Sequence, residues 1–203
     1  MEDSKLRNPS LGKFYTETFH CTVPVELRLV ETSDQLGTLE NIDITLYIRG
    51  PPEDPKEVKV ELMSEVDLFF HYTHKRNIDT FRDIQQSHKL LIKLKDYPKL
   101  LENLLNKVKT TPTQYLAVFY MDREGSGRFD IIQNISYKFM ELVTCDFQVS
   151  SNDLVRKSIV YRYGIQKMMK EEVQGQITKL EDIVRHRATG LIPVIKKSLM
   201  KGN

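Results

Sequence analysis

The chain has 203 residues, 40% of them hydrophobic, which is enough for one globular core with an appendage. Its 30 Lys plus Arg against 28 Asp plus Glu leave a formal net charge of +2, too balanced for the electrostatic footprint of a nucleic-acid or anionic-membrane binder. Cys21 and Cys145 are too few and too far apart for a disulfide framework, and no apolar run approaches the roughly 18 residues of a membrane-spanning helix.

In chain order, residues 1–12 are polar, with Pro9, Ser10 and Gly12, and are expected to be disordered and not a signal peptide. The chain thus reads as cytosolic, with both cysteines reduced and buried in apolar segments. From Phe19 to Leu29 apolar residues alternate, the period of a half-buried strand. Pro24 lies inside this run and removes a ladder donor, which predicts an edge strand or a bulge. Ile42, Ile44, Leu46 and Ile48 form a second alternating run, closed by Gly50-Pro51-Pro52. A third runs from Val58 through Leu62 and on to Phe70.

The period then changes. Asn77 is a cap for a helix bearing Ile78, Phe81 and Ile84, which ends near His88. An extended link, Leu90–Leu94, leads to Asp96 as a second cap and Pro98 in the first turn of the next helix. Tyr97, Leu100, Leu101, Leu104, Leu105 and Val108 give that helix an apolar stripe, and Pro112 ends it. Tyr115–Met121 and Arg128–Ile132 flank a Gly-containing hairpin turn. Ile135–Met140 and Leu142–Val149 are read as further extended segments, and Ser151 or Asn152 caps a long helix. The fold class is α+β: an antiparallel barrel or sandwich with a helical hairpin insertion and a C-terminal helix.

In that last helix Ile165, Met168, Met169 and Val173 are expected to pack on the strands. Val173, Ile177, Leu180 and Val184 follow a coiled-coil rhythm of 4, 3 and 4 for only about two heptads, a short coil at most. Gly190 and Pro193 interrupt the helix, and Leu191, Ile192, Val194, Ile195 and Leu199 form a further apolar patch. The basic residues after Asp182, among them Arg185, Arg187, Lys196, Lys197 and Lys201, read as a solvated helix face and tail.

No residues assemble into a catalytic, metal or cofactor motif. His71 and His74 lie in or after a strand with no third ligand nearby and are expected to be exposed. Gly125-Ser126-Gly127 joins two strands with the wrong spacing for a phosphate loop, and there is no nucleophile elbow and no C-x-x-C. The expectation is a protein that is not an enzyme, with no cofactor, metal or small-molecule substrate.

Three segments fit one family in order: Glu65–Tyr72 with Phe81 after it; His88–Leu94 with Tyr97-Pro98, Leu101 and Leu104-Leu105; and Phe129–Lys138 with Phe147 and Asn152-Asp153. Over about residues 15–168 they resemble the N-terminal head of the spindle-assembly-abnormal proteins, which build the centriolar cartwheel hub. The resemblance implies a small β-barrel capped by a helical pair. It divides the chain into a head at 13–168 and a C-terminal helix and tail at 169–203. It also implies that heads pair through an apolar knob just before a lysine, here Tyr137 before Lys138, flanked by Ile135 and Phe139. Phe81, Ile84 and Tyr97 on the helical pair are the candidates for the receiving pocket.

The implied partners are a second copy, in a weak head–head dimer, and other centriolar or cytoskeletal proteins. The implied location is a centriole, basal body, flagellar base or apical complex. Two features depart from the family: Tyr137 adds a hydroxyl to a knob that is more often fully apolar, and the coil is short, as in head-only relatives of flagellate and apicomplexan protists. Two other readings remain beside this one: a binding scaffold of the end-joining type, which shares the head architecture, and an enzyme with an unrecognised site.

Overall fold

The structure, a computed structural model, describes residues 7–30, 37–87 and 89–187. They fall into two compact units, Asn8–Ser158 and one that carries the long C-terminal helix from Ile159 onward.

The first unit is a closed seven-stranded barrel. Its strands are β1 (Tyr15–Leu29), β2 (Thr38–Arg49), β3 (Glu57–Ser64), β4 (His71–Asn77), β5 (Tyr115–Met121), β6 (Ser126–Asn134) and β7 (Phe139–Val149). Around the barrel they run β1-β2-β3-β4-β7-β6-β5, every pair antiparallel except the β1–β5 closure, which is parallel. Closure is short at two seams, β1–β5 over Glu26–Leu29 and β4–β7 at Tyr72 and Thr73. The expected edge character of Pro24 has a specific origin: β5 meets β1 only from Glu26 to Leu29, so Pro24 bonds to β2 alone. The bulge in β1 lies between Glu17 and Phe19.

Alternation sets the inside of the barrel. Val23, Val25, Ile42, Ile44, Val58, Val60 and Leu62 are fully buried. On the β4, β5 and β7 side the filling is aromatic. Phe119 packs edge-on against Tyr72 at 4.9 Å and Phe147 at 5.8 Å between ring centroids, geometry that ring quadrupoles favour.

Between β4 and β5 the chain forms α1 (Ile78–Ser87) and α2 (Tyr97–Thr110). Asn77 caps α1 as expected, its side-chain oxygen accepting from the backbone N–H groups of Asp79 and Thr80. Asp96 precedes α2 without a side-chain cap bond, while Pro98 occupies the first turn. Leu101, Leu104, Leu105 and Val108 of α2 join the barrel core.

Four local expectations change in the barrel unit. Pro9–Leu11, placed in a disordered segment by their polarity, form a 3-10 turn with Ser10 buried, and the unit begins at Asn8. The third apolar run is not continuous: β3 stops at Ser64, and 65–70 is a loop. Ile135–Met140 is not a strand but the β6–β7 turn and the start of β7. His71 and His74 are buried for different reasons: His74 turns inward against Phe147 and Tyr97, while His71 on the opposite face of β4 meets Ser150 at 2.8 Å.

Helix α3 (Asn152–Arg187) continues past Ser158 as a single helix and is about 54 Å long in all. Met168 and Met169, expected to pack on the strands, are exposed on it. The apolar patch at 191–199 and the Gly190 and Pro193 interruptions lie outside the described residues.

Candidate functional site

The rim of the barrel between β6 and β7 carries a four-residue turn, Ile135–Lys138. Asn134 starts it: its N–H donates to the Gln114 carbonyl at 2.8 Å, and its side-chain oxygen accepts from the Ser136 N–H at 3.1 Å. Ser136 takes a left-handed φ of 70°, which turns the chain sharply. The Tyr137 N–H then donates to Ile135 O at 2.9 Å, and the Ile135 N–H to Lys138 O at 3.1 Å. With its backbone bonded locally, the turn holds the Tyr137 side chain outward, 85% exposed. Phe139 beside it is 65% exposed, Met140 is also exposed, and Ile135 is half-buried beneath them. Large apolar side chains exposed together on an ordered turn mark an interaction surface more than a folding requirement.

The residues expected to receive such a knob lie elsewhere. Phe81, Ile84 and Tyr97 are sealed in the core, with Phe81 and Tyr97 rings 4.9 Å apart. Sequence periodicity placed them on apolar helix faces but did not show that those faces already close on the barrel. Phe81 also lies at the back of a cleft of about 360 Å³ between the β2–β3 turn, α1 and the link to α2. Ile78, Leu94 and Pro55 supply its other apolar walls, Lys93 and Lys95 a basic rim, and Lys56 on that rim is paired with Asp54.

Beneath α2 lies a polar network that the sequence did not reveal. His74 Nδ1 is 2.7 Å from the Asp146 carbonyl, which can only accept, so Nδ1 carries the proton. Nε2 is then the acceptor for the Tyr97 hydroxyl at 3.2 Å, and the Tyr97 oxygen accepts from the Cys145 thiol at 3.1 Å. Burial, reinforced by nearby Arg76, pushes the imidazole pKa down to about 3 and holds it neutral. Burial pushes the Cys145 thiol up to about 12. A neutral imidazole and an un-ionised thiol without solvent access form a structural tie between α2, β4 and β7, not a catalytic pair.

A second buried cluster lies on the outer face of β3. Lys59 Nζ donates to Glu61 at 2.8 Å and to the Ser10 carbonyl. The ammonium also lies 4.3 Å and 4.4 Å from the Tyr15 and Tyr47 ring centroids. Burial lowers the Lys59 pKa, opposed by Glu61. Glu61 Oε2 is buried with no hydrogen-bond partner among the described residues. The lysine holds the N-terminal turn against the sheet. Alternation alone makes Lys59 and Glu61 look solvated, which is why sequence reading missed them.

On α3, Val173 and Leu180 of the expected seam are exposed, while Ile177 and Val184 are half-buried. Among the described residues no group of three or more His, Cys, Asp or Glu could hold a metal ion, and no helix is long and apolar enough to cross a membrane.

The family model described as Centriolar protein SAS N-terminal domain matches residues 13–147. An N-terminal fragment of Leishmania SAS-6 that contains part of its coiled coil is similar in fold, with a TM-score of 0.69 at 14% identity, covering 85% of this chain and 99% of that one. The N-terminal domain of C. elegans SAS-6 gives 0.58 at 14% identity over 68% of this chain and 100% of that one. An N-terminal fragment of Drosophila melanogaster Sas-6, dimerised via the coiled-coil domain, gives 0.68 at 10% identity over 96% and 97%. No curated protein matches the sequence.

Proposed function

The chain belongs to the family of centriolar SAS N-terminal domains, and from that premise we propose that it is a structural scaffold that self-associates through its barrel. The observation that carries this reading is the Tyr137–Phe139 prominence, large apolar surface on a turn whose backbone is already bonded. A surface ordered before contact loses little entropy on association. The receiving surface on a second copy is the cleft whose exposed apolar wall is Ile78, with Phe81, Leu94 and Pro55 buried behind it, in place of the sealed trio Phe81, Ile84 and Tyr97. The phenol lies against the apolar wall and its hydroxyl stays at the polar rim.

One aromatic anchor supplies ~2–4 kcal/mol to an interface, too little for a tight dimer. A second contact, the Val173, Ile177, Leu180 and Val184 seam of α3, adds avidity when two copies pair along it. The assembly belongs to a centriole, basal body or a related microtubule-based structure, with other cytoskeletal proteins as further partners. The family match favours this reading over an end-joining scaffold.

Multi-angle light scattering over a concentration series tests it with wild type, Tyr137→Glu, Ile177→Asp and the double variant. At high salt, each single change is expected to lower the average mass, and the double variant to be monomeric. A Tyr137→Glu profile identical to that of a clearly self-associating wild type sinks the role of the knob.

A further inference from the structure

The opposite ends of the barrel carry complementary surfaces. The loop between β3 and β4 reads Glu65-Val66-Asp67-Leu68-Phe69, and all five residues are exposed. It is well ordered. Ser64 Oγ accepts from the Val66 and Asp67 N–H groups at 2.9 and 2.8 Å. The Asp67 carboxylate accepts from the Phe69 N–H at 2.9 Å, and the Phe70 N–H donates to Asp67 O at 3.0 Å. The loop therefore presents an apolar tip, Val66 and Phe69, set between carboxylates. Asp122 of the neighbouring β5–β6 turn adds to that charge: after burial itself, Asp122 and Asp67 are what raise the pKa of the Tyr72 hydroxyl.

At the other end of β3, beside the β2–β3 turn, the α1–α2 link has the inverse chemistry. Leu91 is fully exposed, and Lys89, Lys93 and Lys95 are exposed around it. The link is held by Leu90 N–H donating to Gln85 O at 3.0 Å and by Gln85 Nε2 donating to Ile92 O at 2.6 Å. Neither Glu65 and Asp67 nor the three lysines enter an ion pair among the described residues.

We infer that the 65–69 loop of one copy docks on the 89–95 link of the next, an end-to-end contact between barrels. Apolar tip meets Leu91 while Glu65 and Asp67 meet the lysines. The two surfaces differ, so the contact is heterologous and open-ended, and a growing chain of copies keeps one free end of each kind. It does not use Tyr137 or the α3 seam, and of the cleft it shares only the rim lysines Lys93 and Lys95. It adds the differently oriented interface that a two-fold pair lacks. Its charge pairing makes it salt-sensitive.

Sedimentation velocity on the full chain carrying Tyr137→Glu, at low and high salt, separates this contact from the knob. The starting chain is expected to gain mass with concentration beyond a dimer at low salt and to lose that growth at high salt. Glu65→Lys with Asp67→Lys makes the loop basic, and Lys93→Glu with Lys95→Glu makes the link acidic. Either reversal is expected to weaken the growth about tenfold, attraction having become repulsion at two surface pairs. Mixing the two reversed chains, or combining all four changes in one chain, restores it. Restoration also rules out misfolding as the cause of the loss. Growth unaffected by either reversal, growth lost with only one of them, or no restoration overturns the proposal.

Discussion

Acidifying from about pH 7 to about pH 5 is expected to destabilise the barrel through His74. Its pKa falls from 6.5 in the unfolded chain to about 3 in the fold, chiefly because burial disfavours the imidazolium. Between those values the unfolded state binds a proton that the native state refuses. The stabilisation is complete above about pH 6.5 and is lost as pH falls toward about 3, by ~1.4 kcal/mol for each unit. From about pH 6.5 to about pH 5 the loss is ~2 kcal/mol, roughly 4–8 °C of melting temperature for a unit of this size. Calorimetry on wild type and His74→Gln isolates the effect. A glutamine amide can still donate to Asp146 O and accept from Tyr97, but it does not titrate. The variant should lack most of the wild-type decline in this window, where carboxylates contribute to both proteins equally. Identical pH dependence in the two proteins refutes the assignment of a buried neutral imidazole.

Two further outcomes follow from the packing. Lys59→Met leaves the Glu61 carboxylate buried without its cation and is expected to lose about 3–5 kcal/mol in urea titration, whereas Lys59→Met with Glu61→Leu recovers most of it; a single-variant loss below about 1 kcal/mol contradicts the burial argument. Gly127→Ala drives a Cβ into the Phe119 ring, inside the aromatic core, and should lower stability by ~1–3 kcal/mol; an unchanged urea midpoint shows that Phe119 moves freely.

Much of the barrel was legible because its strands bury one face, and alternation reports that directly. Val23, Ile44 and Val60 stood at the expected phase, as did Leu101 and Leu105 on α2. The β4 strand was less legible. Its sequence, His71 to Asn77, is polar at almost every position, and only pairing with β3 along its length, and with β7 at Tyr72 and Thr73, makes it a strand. The β6–β7 turn was partly legible. Tyr137 could be singled out only by resemblance, while the local bonds that hold it outward depend on Asn134 and on the left-handed Ser136.

The sequence by itself determined which residues seek the interior and where the chain changes from period two to the helical period, because both follow from hydrophobicity along a local segment. It could not say which apolar faces find cover and which do not. Phe81 and Tyr97 closed on the barrel, whereas Phe139, Phe69 and Leu91 stayed in solvent. It also could not distinguish Lys59 from a solvated lysine, since the carbonyl, carboxylate and rings that surround it come from residues far along the chain. Those outcomes belong to tertiary structure, where burial depends on what arrives from elsewhere in the sequence.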